Sequence, residues 1–216
     1  MGRLIDLSHP LVDGQLSYPN DPPLVIRDYR TIKSGGCNVS SVQFGTHQGT
    51  HLDAPYHFIE RGTPLDGIPL ERFYGPAALV DLAPDGALPP KTPITAEMLA
   101  AHADAFSPQG RVILRTGWYS RFNTPEYFTD LPSLTEDAAT WIAERKIWLL
   151  GMDMPTPSKI AGRRCHEILL APGTEIVIVE GLTNLHELPS RFILAAFPLN
   201  FAGRDGSPVR AVGIVE

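Results

Sequence analysis

The sequence predicts an α/β domain in which strands dominate, and three observations carry that expectation. Turn formers are abundant: 19 Gly and 21 Pro among 216 residues, well above the roughly 12% of an average protein and too many for a helical bundle. Short apolar runs of strand length recur between turn signals, at 77–82, 111–116, 146–150, 174–179, 190–197 and 209–215. Only two stretches carry clear helix-start signals.

Taken in order, 4–7 is a short apolar opening and 13–23 a loop punctuated by Gly14, Pro19, Asn20, Asp21, Pro22 and Pro23. In 39–44, Val39, Ser41 and Gln43 alternate with Ser40, Val42 and Phe44, which predicts a strand without a cleanly apolar face. The runs at 77–82 and 111–116 read as buried strands, and the Pro-rich 84–93 as a loop from strand to helix. Thr95 is a suitable N-cap for a helix over 96–105. Ser133-Leu134-Thr135-Glu136 matches a capping box, in which Ser and Glu side chains satisfy the free amides of a helix start. Leu134, Ala138, Trp141 and Ile142 would then share one helical face. The remaining apolar runs complete the strand set. No linker divides the chain, so 1–216 is expected to be a single domain.

Composition narrows the function. With 43% apolar and 19% charged residues the chain is globular rather than disordered. A net charge of −6 and no basic cluster beyond Arg163-Arg164 disfavour nucleic-acid binding. No apolar run approaches the roughly 20 residues of a membrane span, and 1–10 lacks the apolar stretch of a signal peptide. Cys37 and Cys165 make no disulfide framework. A cytoplasmic protein with reduced thiols and a small-molecule partner is expected.

The most informative segment runs from Phe44 to Phe58. Three of the seven histidines, His47, His51 and His57, fall within eleven residues, with Asp53 among them. Imidazole nitrogen and carboxylate oxygen form the ligand set of a hydrolytic Zn or Mn site. Gly45, Gly49 and Pro55 argue against a helix here. In a strand, His51 and Asp53 at i and i+2 would point the same way. His57 is a fourth ligand or a general acid/base beside the metal. A histidine-rich surface loop is the bland alternative. Further along, His166 follows Cys165, and Glu180 closes the apolar run 176–179, where it either faces a site or returns the chain to solvent.

Together these residues resemble the cyclase-type metal-dependent hydrolases, a family that includes bacterial kynurenine formamidases and isatin hydrolases. Its His-x-Gly-Thr-His-x-Asp-x-Pro-x-His run is matched from His47 to His57. The segments Ile5-Asp6-Leu7-Ser8-His9-Pro10, Gly151-Met152-Asp153, Glu180-Gly181-Leu182-Thr183-Asn184-Leu185 and Asp205-Gly206-Ser207-Pro208-Val209-Arg210 resemble further family segments. The resemblance implies a strand-rich swivelling β/β/α domain assembled into homodimers or homotetramers. It implies that His47, His51 and Asp53 bind one ion and that Asp53 and Glu180 bridge to a second, also held by His166. Two Zn ions per chain are expected, with Mn as the alternative. His57 would donate and accept the proton during hydrolysis of an aryl-linked amide. Tyr18 occupies the position of a family Trp that packs on the substrate ring, and Tyr can still stack on an aryl group. The implied activity is arylformamidase-type, N-formylkynurenine plus water giving kynurenine and formate. Opening of a cyclic amide such as isatin, or a non-enzymatic metal-binding role, are the competing expectations.

Other candidates read as structural. Cys165 is expected to be inert packing. Asp153 either orients a histidine ring or holds a turn. His9 is expected to pack, His102 and His186 to be bland, and Trp118, Trp141 and Trp148 to be core residues.

Overall fold

The computed structural model describes residues 2–215. In chain order the strands are β1 (Arg3–Asp6), β2 (Val25–Arg30), β3 (Val39–Gln43), β4 (His51–Asp53), β5 (Tyr74–Asp81), β6 (Pro93–Ile94), β7 (Arg111–Arg115), β8 (Ser133–Leu134), β9 (Leu149–Met152), β10 (Val177–Glu180), β11 (Arg191–Ala195), β12 (Gly206–Pro208) and β13 (Val212–Val215). The helices are α1 (Ile32–Gly35), α2 (Ala96–Ala100), α3 (Pro125–Thr129), α4 (Glu136–Glu144) and α5 (Arg163–Leu169). Nine strands form one mixed sheet in the order β1-β13-β11-β5-β7-β9-β10-β4-β12. Its centre, β5-β7-β9-β10, is parallel, and its flanks are antiparallel.

Alternation along the central strands explains the layers. Ala78, Val80, Val112, Leu114, Leu150 and Ile178 face the helices, where they meet Leu99, Ala138, Ile142 and Leu169. Ala77, Ile113, Leu149, Val177 and Val179 face the other way and meet Ile5, Leu7, Leu52, Phe192 and Leu194. Residues from both ends of the sheet thus share one core, because the sheet curls into a half-barrel. A bridge between Ser8 and Leu182 ties the two sides of the curl. Two apolar faces per strand require helices on one side and the sheet itself on the other. The fold is strand-rich α/β, as predicted. No helix among the described residues is long and apolar enough to cross a membrane.

Several boundaries differ from the sequence-based expectation. The helix predicted over 96–105 ends at Ala100 and gives way to a 3-10 turn at Ala103–Ala105. Ser133 is not an N-cap: it lies in β8, fully buried, and its hydroxyl donates to Leu131 O. Thr135 caps α4 instead, accepting from the Ala138 amide. Trp141 is only half-buried, with the Arg145 guanidinium stacked 3.7 Å from its ring centre. The strand expected at 146–150 begins later, at Leu149. The strand at 39–44 is present, but every residue of β3 is exposed, and it pairs only with β2 in a hairpin apart from the main sheet.

Candidate active site

The site forms where β4 and β10 meet on the helix-facing side of the sheet. Leu52 points into the inner core. The two-residue period of a strand therefore turns its neighbours His51 and Asp53 to the opposite face. Glu180 ends β10 directly across from His51 in the antiparallel register. Gly181 follows with φ +65°, and a Cβ there would lie 2.7 Å from Gly49 O, so the close approach of the two loops requires glycine. His166 arrives from α5 and lies with its ring stacked 4.1 Å from that of Phe58. His57 closes a 3-10 turn begun by Pro55. His47 sits in the turn between β3 and β4.

The structure brings all six sequence-predicted polar residues together. His51 Nε2 is 3.4 Å from Asp53 Oδ1 and 3.3 Å from Glu180 Oε2. His166 Nε2 is 3.4 Å from Glu180 Oε1 and 3.6 Å from Asp53 Oδ2. His47 Nδ1 is 2.7 Å from Asp53 Oδ1. The His57 ring lies 3.8 Å from the His47 ring and lines the cavity. His51 Nδ1 donates to Gly49 O at 3.0 Å, which leaves its Nε2 lone pair for the site.

Electrostatically the centre is a pair of buried carboxylates, Asp53 and Glu180 at 0% and 3% exposure. Among the described residues their ion-pair partners are histidines alone. Burial would lower the His47 imidazole, but the Asp53 charge and bonds to Asp205 and Asp53 raise it to about 9. His166 is raised to about 9 in the same way, with Asp53 and Glu180 overcoming its burial. Burial dominates at His57 and holds it down to about 4.

These residues fit a divalent metal. Asp53 Oδ2 is buried and has no hydrogen-bond partner among the described residues, a costly state that a cation relieves. His51 lies 3.3–3.4 Å from one oxygen of each carboxylate and His166 3.4–3.6 Å from the other, close to the roughly 3.4 Å that separates two donors each about 2.0–2.2 Å from an ion. The set is imidazole and carboxylate, suited to a hydrolytic ion. His47, His51 and Asp53 group closely enough to hold one, as do Asp53, His57 and His166.

Above this floor opens a cavity of about 280 Å³ walled by Tyr18, Phe58, Phe122, Tyr127 and Phe128. Tyr18 is held by the loop at 16–18: Ser17 Oγ donates to Gln48 Oε1 (2.5 Å), and Gln48 Nε2 donates to Leu16 O (3.2 Å). The Tyr18 ring meets Phe128 edge-on and carries the Lys159 ammonium 4.6 Å from its centre. Phe58, Phe122 and Phe128 are not legible as site residues in the sequence, because they come from three separate segments without a shared spacing. Asp205 is missed as a site residue too; its only signal is the Asp-Gly turn before the closing strands.

The structural candidates settle away from the chemistry. Asp153 touches no histidine; it accepts from the Thr116 amide and hydroxyl and from the Gly117 amide, tying the ends of β9 and β7. The buried Cys165 thiol donates to Leu134 O, and burial pushes it up to about 11, the mark of an inert thiol. His9 stacks 3.6 Å from Phe122, and its amide donates to Thr50 Oγ1.

A family model described as "Putative cyclase" matches residues 5–159. A kynurenine formamidase of Bacillus thuringiensis (strain Al Hakam) is 30% identical over 211 residues, covering 96% of this chain and 95% of the relative. An isatin hydrolase solved with the product analogue thioisatinate superposes with a TM-score of 0.88 at 24% identity, over 98% of this chain and 92% of that one. A predicted metal-dependent hydrolase from Bacillus stearothermophilus superposes with a TM-score of 0.80 at 27% identity, over 99% and 98%.

Proposed function

The chain belongs to the cyclase family, and from that premise we propose that it is a metal-dependent hydrolase of aryl-linked amides, with N-formylkynurenine as first substrate. The observation that carries this reading is a floor of His51, Asp53, His166 and Glu180 beneath a wall of five aromatic side chains. The kynurenine formamidase relative, matched over 95% of its length, supports the formamide.

His47, His51 and Asp53 would hold one ion, and Asp53, His166 and Glu180 a second, with Zn first and Mn as the alternative. When bound, such ions supply Lewis acidity, which lowers the pKa of water and polarises an amide carbonyl. The aromatic wall receives the aryl ring, excludes water and leaves the formyl group over the polar floor. His57 moves the proton. Held neutral at pH 7 by burial, its imidazole takes a proton as water adds to the formyl carbon. Its Nδ1 is turned toward Asp205 at 3.8 Å, so Nε2 is the nitrogen assigned to the substrate. The same proton then passes to the aryl nitrogen as the C–N bond breaks, because an amine anion is a poor leaving group. The products are formate and an arylamine.

The test is a parallel assay of N-formylkynurenine, formanilide, isatin and an aliphatic formamide, each with Zn and with Mn. Turnover of the formyl aryl compounds is expected. Turnover of isatin alone would move the assignment to cyclic amides, and absence of any amide hydrolysis by metal-loaded protein would leave a non-enzymatic role.

A further inference from the structure

Asp205 precedes β12 and is built into the site from three sides. Its Oδ2 lies 2.7 Å from His47 Nε2 and accepts from Thr46 Oγ1 at 2.9 Å. Its backbone carbonyl accepts from the Ala54 amide at 2.8 Å, just past the end of β4. The next residue, Gly206, lies against the same imidazole. A Cβ there would stand 2.7 Å from His47 Cε1 and 2.7 Å from Leu52 O. The His47 ring therefore rests on bare backbone with a carboxylate fixed at one of its nitrogens.

That arrangement has a consequence for the other nitrogen. A neutral imidazole carries one proton, and only the unprotonated nitrogen can ligate. An ionised carboxylate only accepts hydrogen bonds. Both ring nitrogens of His47 face a carboxylate oxygen at 2.7 Å, Nε2 that of Asp205 and Nδ1 that of Asp53. An ion held on the Asp53 side would take the Nδ1 lone pair, and Asp205 then accepts a hydrogen bond from the one remaining proton, on Nε2. Gly49 O performs the equivalent service for His51, at the opposite ring nitrogen.

We propose that Asp205 is a positioning residue for the metal centre, which holds His47 as the Nε2–H tautomer and so presents Nδ1 to an ion shared with His51 and Asp53. This rests on the reading of the site as a metal centre. The competing arrangement makes Asp205 itself a ligand, since it also groups with His47 and His57 closely enough to hold an ion.

The experiment is metal binding by the full chain, stripped and then titrated with Zn and with Mn against a chromophoric chelator. It compares wild type with Asp205→Ala, Asp205→Asn and His51→Ala. Asp205→Ala should keep the wild-type stoichiometry and weaken one site 10- to 100-fold, the usual cost of losing a partner that orients a ligand. Asp205→Asn should weaken it less, because an amide oxygen can still accept from Nε2. His51→Ala should lose an ion outright. In long-range 1H–15N spectra of Zn-loaded wild type, His47 should carry its proton on Nε2. Should Asp205→Ala fail to fold, the near-isosteric Asp205→Asn and the wild-type spectrum still decide. A proton on Nδ1, an affinity within about twofold of wild type, or loss of a whole ion on changing Asp205 each overturns the proposal. Wild type that takes up neither metal ends the metal-centre reading along with it, whereas equal binding by wild type and both Asp205 variants, with metal lost in His51→Ala, ends this inference alone.

Discussion

Glu180 stands opposite His51 in the register of β10 and β4, with Oε2 3.3 Å from His51 Nε2 and Oε1 3.4 Å from His166 Nε2. One carboxylate therefore spans two imidazoles that arrive from different elements, a strand and a helix. Asp53 spans the same pair, at 3.4 Å and 3.6 Å. On the two-ion reading proposed above, these two shared anions would offset the repulsion between the cations.

Glu180→Gln should accordingly lower metal content from about two ions per chain to about one. The amide keeps the shape but supplies no negative charge. Elemental analysis after growth in Zn-supplemented medium measures this, and unchanged stoichiometry would remove Glu180 from the ligand set.

His57 and His51 should separate by phenotype. His57→Ala is expected to retain metal and fold while kcat falls by roughly 100-fold or more, the scale of general acid–base loss. His51→Ala should lose metal. Steady-state kinetics with metal analysis on the same preparations checks both, and equal metal loss in the two variants contradicts the division of roles.

The protonation of the stripped site gives a pH dependence with a definite sign. His47 and His166 are raised from an ordinary 6.5 to about 9, so each binds its proton more tightly folded than unfolded. The stability they contribute is fully present below pH 6.5 and is lost as pH rises through about 9. Chelator-stripped protein should therefore melt at a lower Tm at pH 9 than at pH 6.5. Metal affinity should climb across the same window, since binding displaces those protons. A stripped protein whose Tm rises between these pH values contradicts the assignment.

Thr50 joins three segments behind the site. Its hydroxyl donates to Gly181 O at 2.6 Å and accepts from the His9 amide at 3.0 Å, and the residue is buried. Thr50→Val keeps the shape and leaves a carbonyl and an amide without partners. It should cost about 1–3 kcal/mol of stability, measured by denaturant unfolding of metal-loaded protein. A loss below about 0.5 kcal/mol would mean that water replaces the hydroxyl.

What the sequence discloses of this site is what lies close together in it. His47 to His57 crowd one segment, and the period of two along β4 puts His51 and Asp53 on one face. The central strands β7, β9 and β10 are legible as strands because each carries a short apolar run buried on both faces. Helix α5, which delivers His166, is not legible. Gly162 stands at its N-cap position and offers no side-chain oxygen, so the usual start signal is missing. Thr135 is eclipsed as a cap by the Ser133–Glu136 pattern, although burial commits Ser133 to β8. The aromatic wall and the contact of Asp205 with His47 depend on how the sheet curls, and curling leaves no local periodicity to read.

Ring recognition at the aryl wall is separable from the chemistry at the polar floor. Tyr18 lines the cavity with one edge contact to Phe128 and with Lys159 against its ring and hydroxyl. It touches none of the histidines or carboxylates of the floor through a hydrogen bond or ion pair among the described residues. Tyr18→Ala should therefore leave metal content unchanged and act on substrate binding. An aromatic pair contributes about 1 kcal/mol beyond its buried area, so KM for an aryl formamide should rise about fivefold or more. An aliphatic formamide, which has no ring to place, should show little change. Kinetics on the two substrates with the same enzyme preparations provide the comparison. An equal rise for both would mean that Tyr18 shapes the cavity without recognising the ring, and a fall in kcat alone would move it from binding into the proton-transfer step.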